Sequence, residues 1–208
     1  MISDRSLSNR IILLNGMSCA GKSSIAPEIK RQIIEQHNKP AVTIEIDNYW
    51  RQLGTSFDNS LENMATAMHH DIARHHAVGN IVVVDHVFYD DILYINFLQH
   101  LKDLPIFFVK VFCNDEVAEK RLIARNDSNN VKEHRPSDIL ERDKKGPIHK
   151  NKKYDFAIDT SYTHASEAAV AILNHYLALP QKHVGVQRDN IALVFQELFS
   201  AKPTFAKV

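Results

Sequence analysis

The stretch from Ile11 to Ser24, IILLNGMSCAGKSS, constrains what this chain can fold into more than any other part of it. Ile11 to Leu14 are uniformly apolar and read as a buried strand; a turn of small residues follows, and then a run that continues as a helix. Gly16, Gly21, Lys22 and Ser23 complete the spacing G-x-x-x-x-G-K-S, the phosphate-loop pattern. The glycines permit a backbone path that turns the amides from Ser18 to Ser23 inward, as a concave nest at a helix N-terminus where anions are held. A polyphosphate suits that nest. Lys22 then stands near the β- and γ-phosphates, and the Ser23 hydroxyl can replace a water on Mg²⁺, which prefers oxygen ligands. Gly16, Ser18, Cys19, Ala20, Gly21, Lys22, Ser23 and Ser24 are therefore the expected nucleotide-binding residues.

The rest of the chain alternates strands and helices. Ile25, Ile29, Ile33 and Ile34 recur at helical spacing, with Pro27 an awkward early guest. Residues 41–46 read as a second strand delivering Asp47 at its carboxyl end, the edge along which open α/β sheets bind ligands. Residues 48–60 read as a loop carrying Tyr49, Trp50 and Phe57, either a lid or a wall for an organic substrate. Residues 61–77 read as a helix; its His69, His70, His75 and His76 fit a solvated face better than a metal site, because no Cys or carboxylate joins them at ligand spacing.

Ile81 to Val84 is a third strand ending in Asp85, the loose pattern of a carboxylate that orders Mg²⁺ or its water. A helix from Asp90-Asp91, a strand over 106–112 and a helix opened by Asn114 follow. Arg121 and Arg125 lie one helical turn apart. They are either two surface arginines or a clamp, Arg121 on nucleotide and Arg125 on the transferring phosphoryl group. The polar stretch of about 126–153 reads as a solvated loop or a basic lid over ATP. A fifth strand over 154–159 and a helix capped by Thr163 complete a kinase domain of residues 1–178. An extension over 179–208 carries one amphipathic helix, a possible oligomer contact. The expected fold is α/β, a phosphate-loop NTPase of the kinase type with a mainly parallel five-stranded sheet flanked by helices.

Charge narrows the partners. Lys plus Arg number 25 and Asp plus Glu number 25, so no global basic field points to nucleic acid or an anionic membrane. No apolar run approaches a membrane span, and residues 1–10 hold no apolar leader core. The two cysteines, Cys19 and Cys113, fit reduced thiols in a cytoplasmic setting, with Cys19 a small filler in the loop rather than a redox switch.

Several points together, in this order, carry a resemblance: Ile12-Leu-Leu-Asn-Gly16 leading to Ala20-Gly-Lys-Ser23, the strand-end Asp47, Val84-Asp-His-Val-Phe88, Ala118-Glu-Lys-Arg121 to Arg125, and Tyr154-Asp155 to Asp159-Thr160. Over about residues 10–178 the chain resembles the chloramphenicol phosphotransferase-like branch of P-loop kinases. The resemblance implies transfer of the ATP γ-phosphate to a hydroxyl of a small-molecule alcohol, with the carboxylate at the position of Asp47 deprotonating or orienting that hydroxyl. The placement of residues agrees: Asp47, Lys22 and Arg125 form the expected catalytic set, ATP and Mg²⁺ the cofactors, and Ser23 with Asp85 the metal ligands. Asp47 as an outer Mg²⁺ ligand is the competing role. A kinase of another metabolite, a nucleoside or a sugar nucleotide, as in zeta toxins, and a nucleotide-binding switch module are the alternative functions.

Overall fold

The computed structural model describes residues 10–53, 60–129, 141, 148–179 and 193. Within them five strands form one parallel sheet: β1 (Ile11–Asn15), β2 (Ala41–Glu45), β3 (Ile81–His86), β4 (Ile106–Phe112) and β5 (Phe156–Asp159), in the order β2-β3-β1-β4-β5. Parallel strands need crossover connections, and the helices lie in them: α1 (Lys22–His37), α2 (Ile46–Leu53), α3 (Ser60–Ala77), α4 (Asp91–His100) and α5 (Asp115–Asn129), with α6 (Ala165–Ala178) following the last strand. Both faces of the sheet are covered, so β1 is buried along its whole length rather than on alternate residues. Ile12 and Leu14 face a cluster shared with α1, α5 and α6; Ile11 and Leu13 face one built from α3 and α4.

All strands point one way, so their carboxyl ends share an edge. β1 is central, and its register sets Leu14 beside Asp85 and Asn15 beside His86, while Glu45 lies beside Asp85 from the other flank. The phosphate loop, Asp85 and the β2–α2 junction therefore meet at one rim, as ligand sites in open α/β sheets do.

Local structure departs from the sequence expectations at the β2–α2 junction and at the cap of α6, and accommodates Pro27 early in its helix as expected. The second strand stops at Glu45, and Ile46–Leu53, expected as the strand's end and a loop, is helix. Ile46, Tyr49 and Leu53 recur at helical spacing, and the Tyr49 hydroxyl donates to Asp71 of α3 at 2.7 Å, fastening the new helix to the next one. Tyr49 thus packs, whereas Phe57 lies outside the described residues. Pro27 is accommodated inside α1, where its ring is exposed and the carbonyl it leaves without a donor is that of Ser23, in the first turn. The cap of α6 is His164, whose amide donates to Glu167 at 3.2 Å, while Thr163 donates instead to the Asp159 carbonyl at 2.9 Å. Most of the expected lid and the expected C-terminal helix lie outside the described residues.

Candidate active site

The loop after β1 is held by contacts that explain each glycine. A Cβ at Gly16 would collide with the Val111 carbonyl of β4, so only glycine lets the two strands sit side by side there. Gly21 has φ +93° and caps α1, a conformation that side chains resist. Cys19, also left-handed at φ 61°, accepts that strain without being glycine. The Ala20 amide donates to the Met17 carbonyl at 3.2 Å, which closes the turn and buries Ala20 completely.

Lys22 and Ser23 emerge from this turn into the rim. Lys22 is 5% exposed, and its ammonium donates to the Met17 carbonyl at 3.1 Å and lies 3.6 Å from Asp85. Ser23 Oγ donates to the other Asp85 oxygen at 2.6 Å. A charge buried this deeply persists because it is paired on its own rim. A hydroxyl and a carboxylate in contact are the hard-oxygen donor set that suits Mg²⁺, which takes one or two protein ligands and completes its shell with phosphate and water. Among the described residues no group of three or more His, Cys, Asp or Glu side chains gathers as an all-protein metal cage.

On the opposite side of the loop, α5 and β5 form a brace. Arg121 Nη1 donates to the Cys19 carbonyl at 3.2 Å and to Thr160 Oγ1 at 3.1 Å, and its Nη2 donates to the Thr160 carbonyl at 2.6 Å. Thr160 Oγ1 donates in turn to the Ala20 carbonyl at 2.8 Å. Arg121 therefore spends much of its fork on the loop itself, and Arg125, one turn further on, reaches the open rim. In the sequence Thr160 stood only as part of the Asp159-Thr160 pair that carries the resemblance, with no role of its own; the brace gives it one.

Two cavities open off the loop. One of about 400 Å³ is lined by Gly21, Ser24, Arg121, Thr160 and Thr163 among others; one of about 570 Å³ by Ser18, Glu45, Asp47, His69, Asp85 and His86 among others. Cys19, Lys22, Ser23 and Arg125 line both. Of the expected site residues, Gly16 and Ala20 shape the loop from behind, and the others line one cavity or both.

The larger cavity holds what the sequence reading missed. Asp47, expected at a strand end, sits exposed in the first turn of α2 and reaches the cavity from there. His69, expected on a solvated face, is 4% exposed and lines the cavity, edge-on to Phe97; His70, its neighbour, is exposed. The signal existed: His69 follows Ala65 by four residues and precedes Ile72 by three, both buried. His86, 5% exposed, stacks on Phe88. Burial pushes the His69 imidazole down to about 4 and the His86 imidazole down to about 3, so both are neutral at physiological pH.

Asn15 links the two sides. Its amide donates to the Ile148 carbonyl and to the Tyr154 hydroxyl, each at 2.8 Å, and its oxygen accepts from the Phe88 amide at 3.1 Å. The residue just before the loop thus ties β3's end to Ile148, in the last part of the expected lid, and to Tyr154 just after it.

A parallel sheet with a glycine-rich loop between its central strand and a covering helix, a lysine and a serine at the mouth, and a carboxylate from the adjacent strand is the fold of the P-loop kinases. The chain belongs to the chloramphenicol phosphotransferase-like protein family, which it matches over residues 9–177. No curated protein matches it. Among solved structures it is similar to the APS kinase CysC of Mycobacterium tuberculosis in complex with AMPPNP and APS, at 19% identity and TM-score 0.61, covering 80% of this chain and 96% of that one. It is also similar to the shikimate kinase of Acinetobacter baumannii in complex with shikimate, at 15% identity and TM-score 0.56, covering 85% and 96%. A gluconokinase of Sinorhizobium meliloti 1021 aligns at 17% identity and TM-score 0.53, covering 93% and 98%. At such identities these three establish the fold, and the family match together with them supports a small-molecule P-loop kinase.

Proposed function

We propose that the protein is an ATP-dependent O-phosphotransferase, with the nucleotide in the smaller cavity and a small alcohol in the larger. The observation that carries this reading is the shared wall: Cys19, Lys22, Ser23 and Arg125 border both cavities, so a phosphoryl group on the loop faces both occupants. Asp47 is the carboxylate of the larger cavity that is exposed. It takes or orients the acceptor hydroxyl proton while the acceptor oxygen forms its bond to the γ-phosphorus and the bond to the β–γ bridging oxygen breaks, leaving ADP. Lys22 and Arg125 offset the charge on the phosphoryl oxygens. Ser23 and Asp85 hold Mg²⁺, which when bound neutralises phosphate charge. Arg121 and Thr160 keep the loop in shape rather than touch the reacting atoms.

The test is Asp47→Asn. Acceptor-stimulated ATP consumption is expected to fall by at least about a hundredfold, in line with loss of a general base, while ATP affinity stays within about twofold. An unchanged transfer rate removes Asp47 from the mechanism. The acceptor is found by running the purified protein with Mg²⁺ and ATP against chloramphenicol, nucleosides and sugar nucleotides, with the phosphorylated product identified by mass.

A further inference from the structure

Asp47, on the kinase reading above the group that takes or orients the acceptor proton, is aimed by its helix. Among the described residues no hydrogen bond or ion pair holds its carboxylate; Arg51 donates instead to its main-chain carbonyl, at 3.2 Å, and to Asn48 Oδ1, at 2.7 Å. Where α2 lies is therefore where Asp47 points. α2 runs for only eight residues, a length that is marginal as a helix without tertiary support. Among its described side chains, Ile46 and Tyr49 supply that support. Ile46, 8% exposed, belongs to the cluster shared with α3 and α4, and Tyr49 packs against the same cluster.

Tyr49 also makes a polar tie. Its hydroxyl donates to Asp71 Oδ2 at 2.7 Å, while Asp71 Oδ1 accepts from Arg74 Nη2 at 3.0 Å. The acceptor stands on a firm base, because Met68 and Ile72, on either side of Asp71 in α3, are wholly buried in that cluster. The Tyr49 bond, and after it Arg74, hold the Asp71 carboxyl below its ordinary range, and burial pushes the Tyr49 phenol up. A protonated donor thus meets an ionised acceptor at neutral pH, the stronger kind of hydrogen bond. At about 3.6 residues per turn, side chains two apart stand about 200° apart around the axis, so anchoring Tyr49 inward turns Asp47 outward, to the cavity that it lines. On that kinase reading, we propose that Tyr49 and Asp71 are positioning residues of the transfer: their bond sets the height and rotation of α2, and so the place of Asp47 beside the phosphoryl group. Neither is among the residues that line the two cavities, so both act through Asp47.

A double-mutant cycle in the full chain with Mg²⁺ and ATP tests this. The acceptor is whichever of chloramphenicol, adenosine and UDP-N-acetylglucosamine is phosphorylated, or, where none is, water in the slower consumption of ATP alone. Tyr49→Phe keeps the ring in the cluster and removes only the hydroxyl. Its kcat is expected to fall about tenfold, the scale of a small misplacement of a reacting group, with the KM for ATP within about twofold. Added to Asp47→Asn, the same substitution should cost less than about twofold, because nothing is left to position. Asp71→Ala, which breaks the tie from the side of α3 and decides if Tyr49→Phe does not fold, should repeat both results. Asp71→Asn, which keeps a hydrogen-bond partner for the phenol, should stay within about threefold of the parent. An unchanged kcat in either breaking variant overturns the proposal, and so does a loss in Asp71→Asn as large as in Asp71→Ala. A tenfold loss that recurs in full in the Asp47→Asn background also overturns it, being the mark of a merely structural role. All three outcomes leave the kinase reading standing. That reading fails separately, and this inference with it, if Asp47→Asn by itself keeps the parent rate or if the chain consumes no ATP with any of these acceptors, water included.

Discussion

The phosphate loop with its brace, at one end of the site, and the wall carried by β2, α3 and β3, at the other, are built on opposite principles. At the phosphate end every principal side chain is already bonded: Lys22 to Met17 and Asp85, Ser23 to Asp85, Arg121 to Cys19 and Thr160, Thr160 to Ala20. On that wall His69 and His86 each keep an unpartnered ring nitrogen among the described residues, and burial pushes the half-buried Glu45 carboxyl up. A site whose task is common to all phosphoryl transfer is fixed in advance by its own hydrogen bonds, so little ordering is left for the moment of reaction. A site that must tell one organic molecule from another keeps bonding capacity for that molecule, at a cost in stability, because unpaired polar groups reject whatever does not pair them.

The strongest way to break this contrast is at the phosphate end. In Lys22→Met, acceptor-stimulated turnover is expected to fall by about a thousandfold, the scale of losing a charge aimed at the transferring group, with circular dichroism unchanged. Turnover within tenfold of the parent would mean that the loop lysine is not part of the transfer machinery. A smaller effect is expected from Thr160→Val, which keeps the shape but removes the hydroxyl between Arg121 and the Ala20 carbonyl. Leaving those groups short of a partner costs about 1 to 2 kcal/mol, read as roughly tenfold weaker nucleotide binding by calorimetry. The acceptor KM at saturating nucleotide should move less than about twofold, and an equal loss at both ends would erase the distinction.

The smallest effect belongs to the histidine wall and concerns stability. His69 and His86 titrate near 6.5 when unfolded but at about 4 and about 3 when folded, so between these values the unfolded state binds more protons. Stability therefore rises with pH across that window: the contribution is full above about pH 6.5 and is lost as pH falls towards about 4 for His69 and about 3 for His86. Denaturant midpoints at about pH 5.5 should reveal a loss on the order of 1 kcal/mol for each histidine, and His86→Asn should flatten the slope by its share. A slope unaltered in that variant would mean that His86 is not buried as a neutral ring.

The phosphate end was legible and the far end was not, for a reason that specific residues make plain. Gly16, Gly21, Lys22 and Ser23 lie within eight consecutive positions, so one local backbone path dictates all of them and the spacing announces the chemistry. Asp85 was reachable because it ends an apolar strand. Glu45, His69 and His86 come from three separate elements, and only the helical spacing from Ala65 and Ile72 separates His69, which is buried, from His70, which is exposed. Asp47 was identified, but its place in the first turn of α2 was not, because Ile46 and Tyr49 find apolar cover only in the cluster that α3 completes.

By itself, the sequence determined the alternation of strands and helices, the parallel sheet and the phosphate loop, since each follows from short-range periodicity and backbone freedom. Tertiary structure alone decided that Arg121 braces the loop while lining the smaller cavity, that Asn15 joins residues 73 to 139 positions away, and that two buried histidines and a glutamate share one cavity. Those outcomes depend on which strands lie side by side and which helix faces meet, and the energies that select them are contacts between residues far apart in the chain.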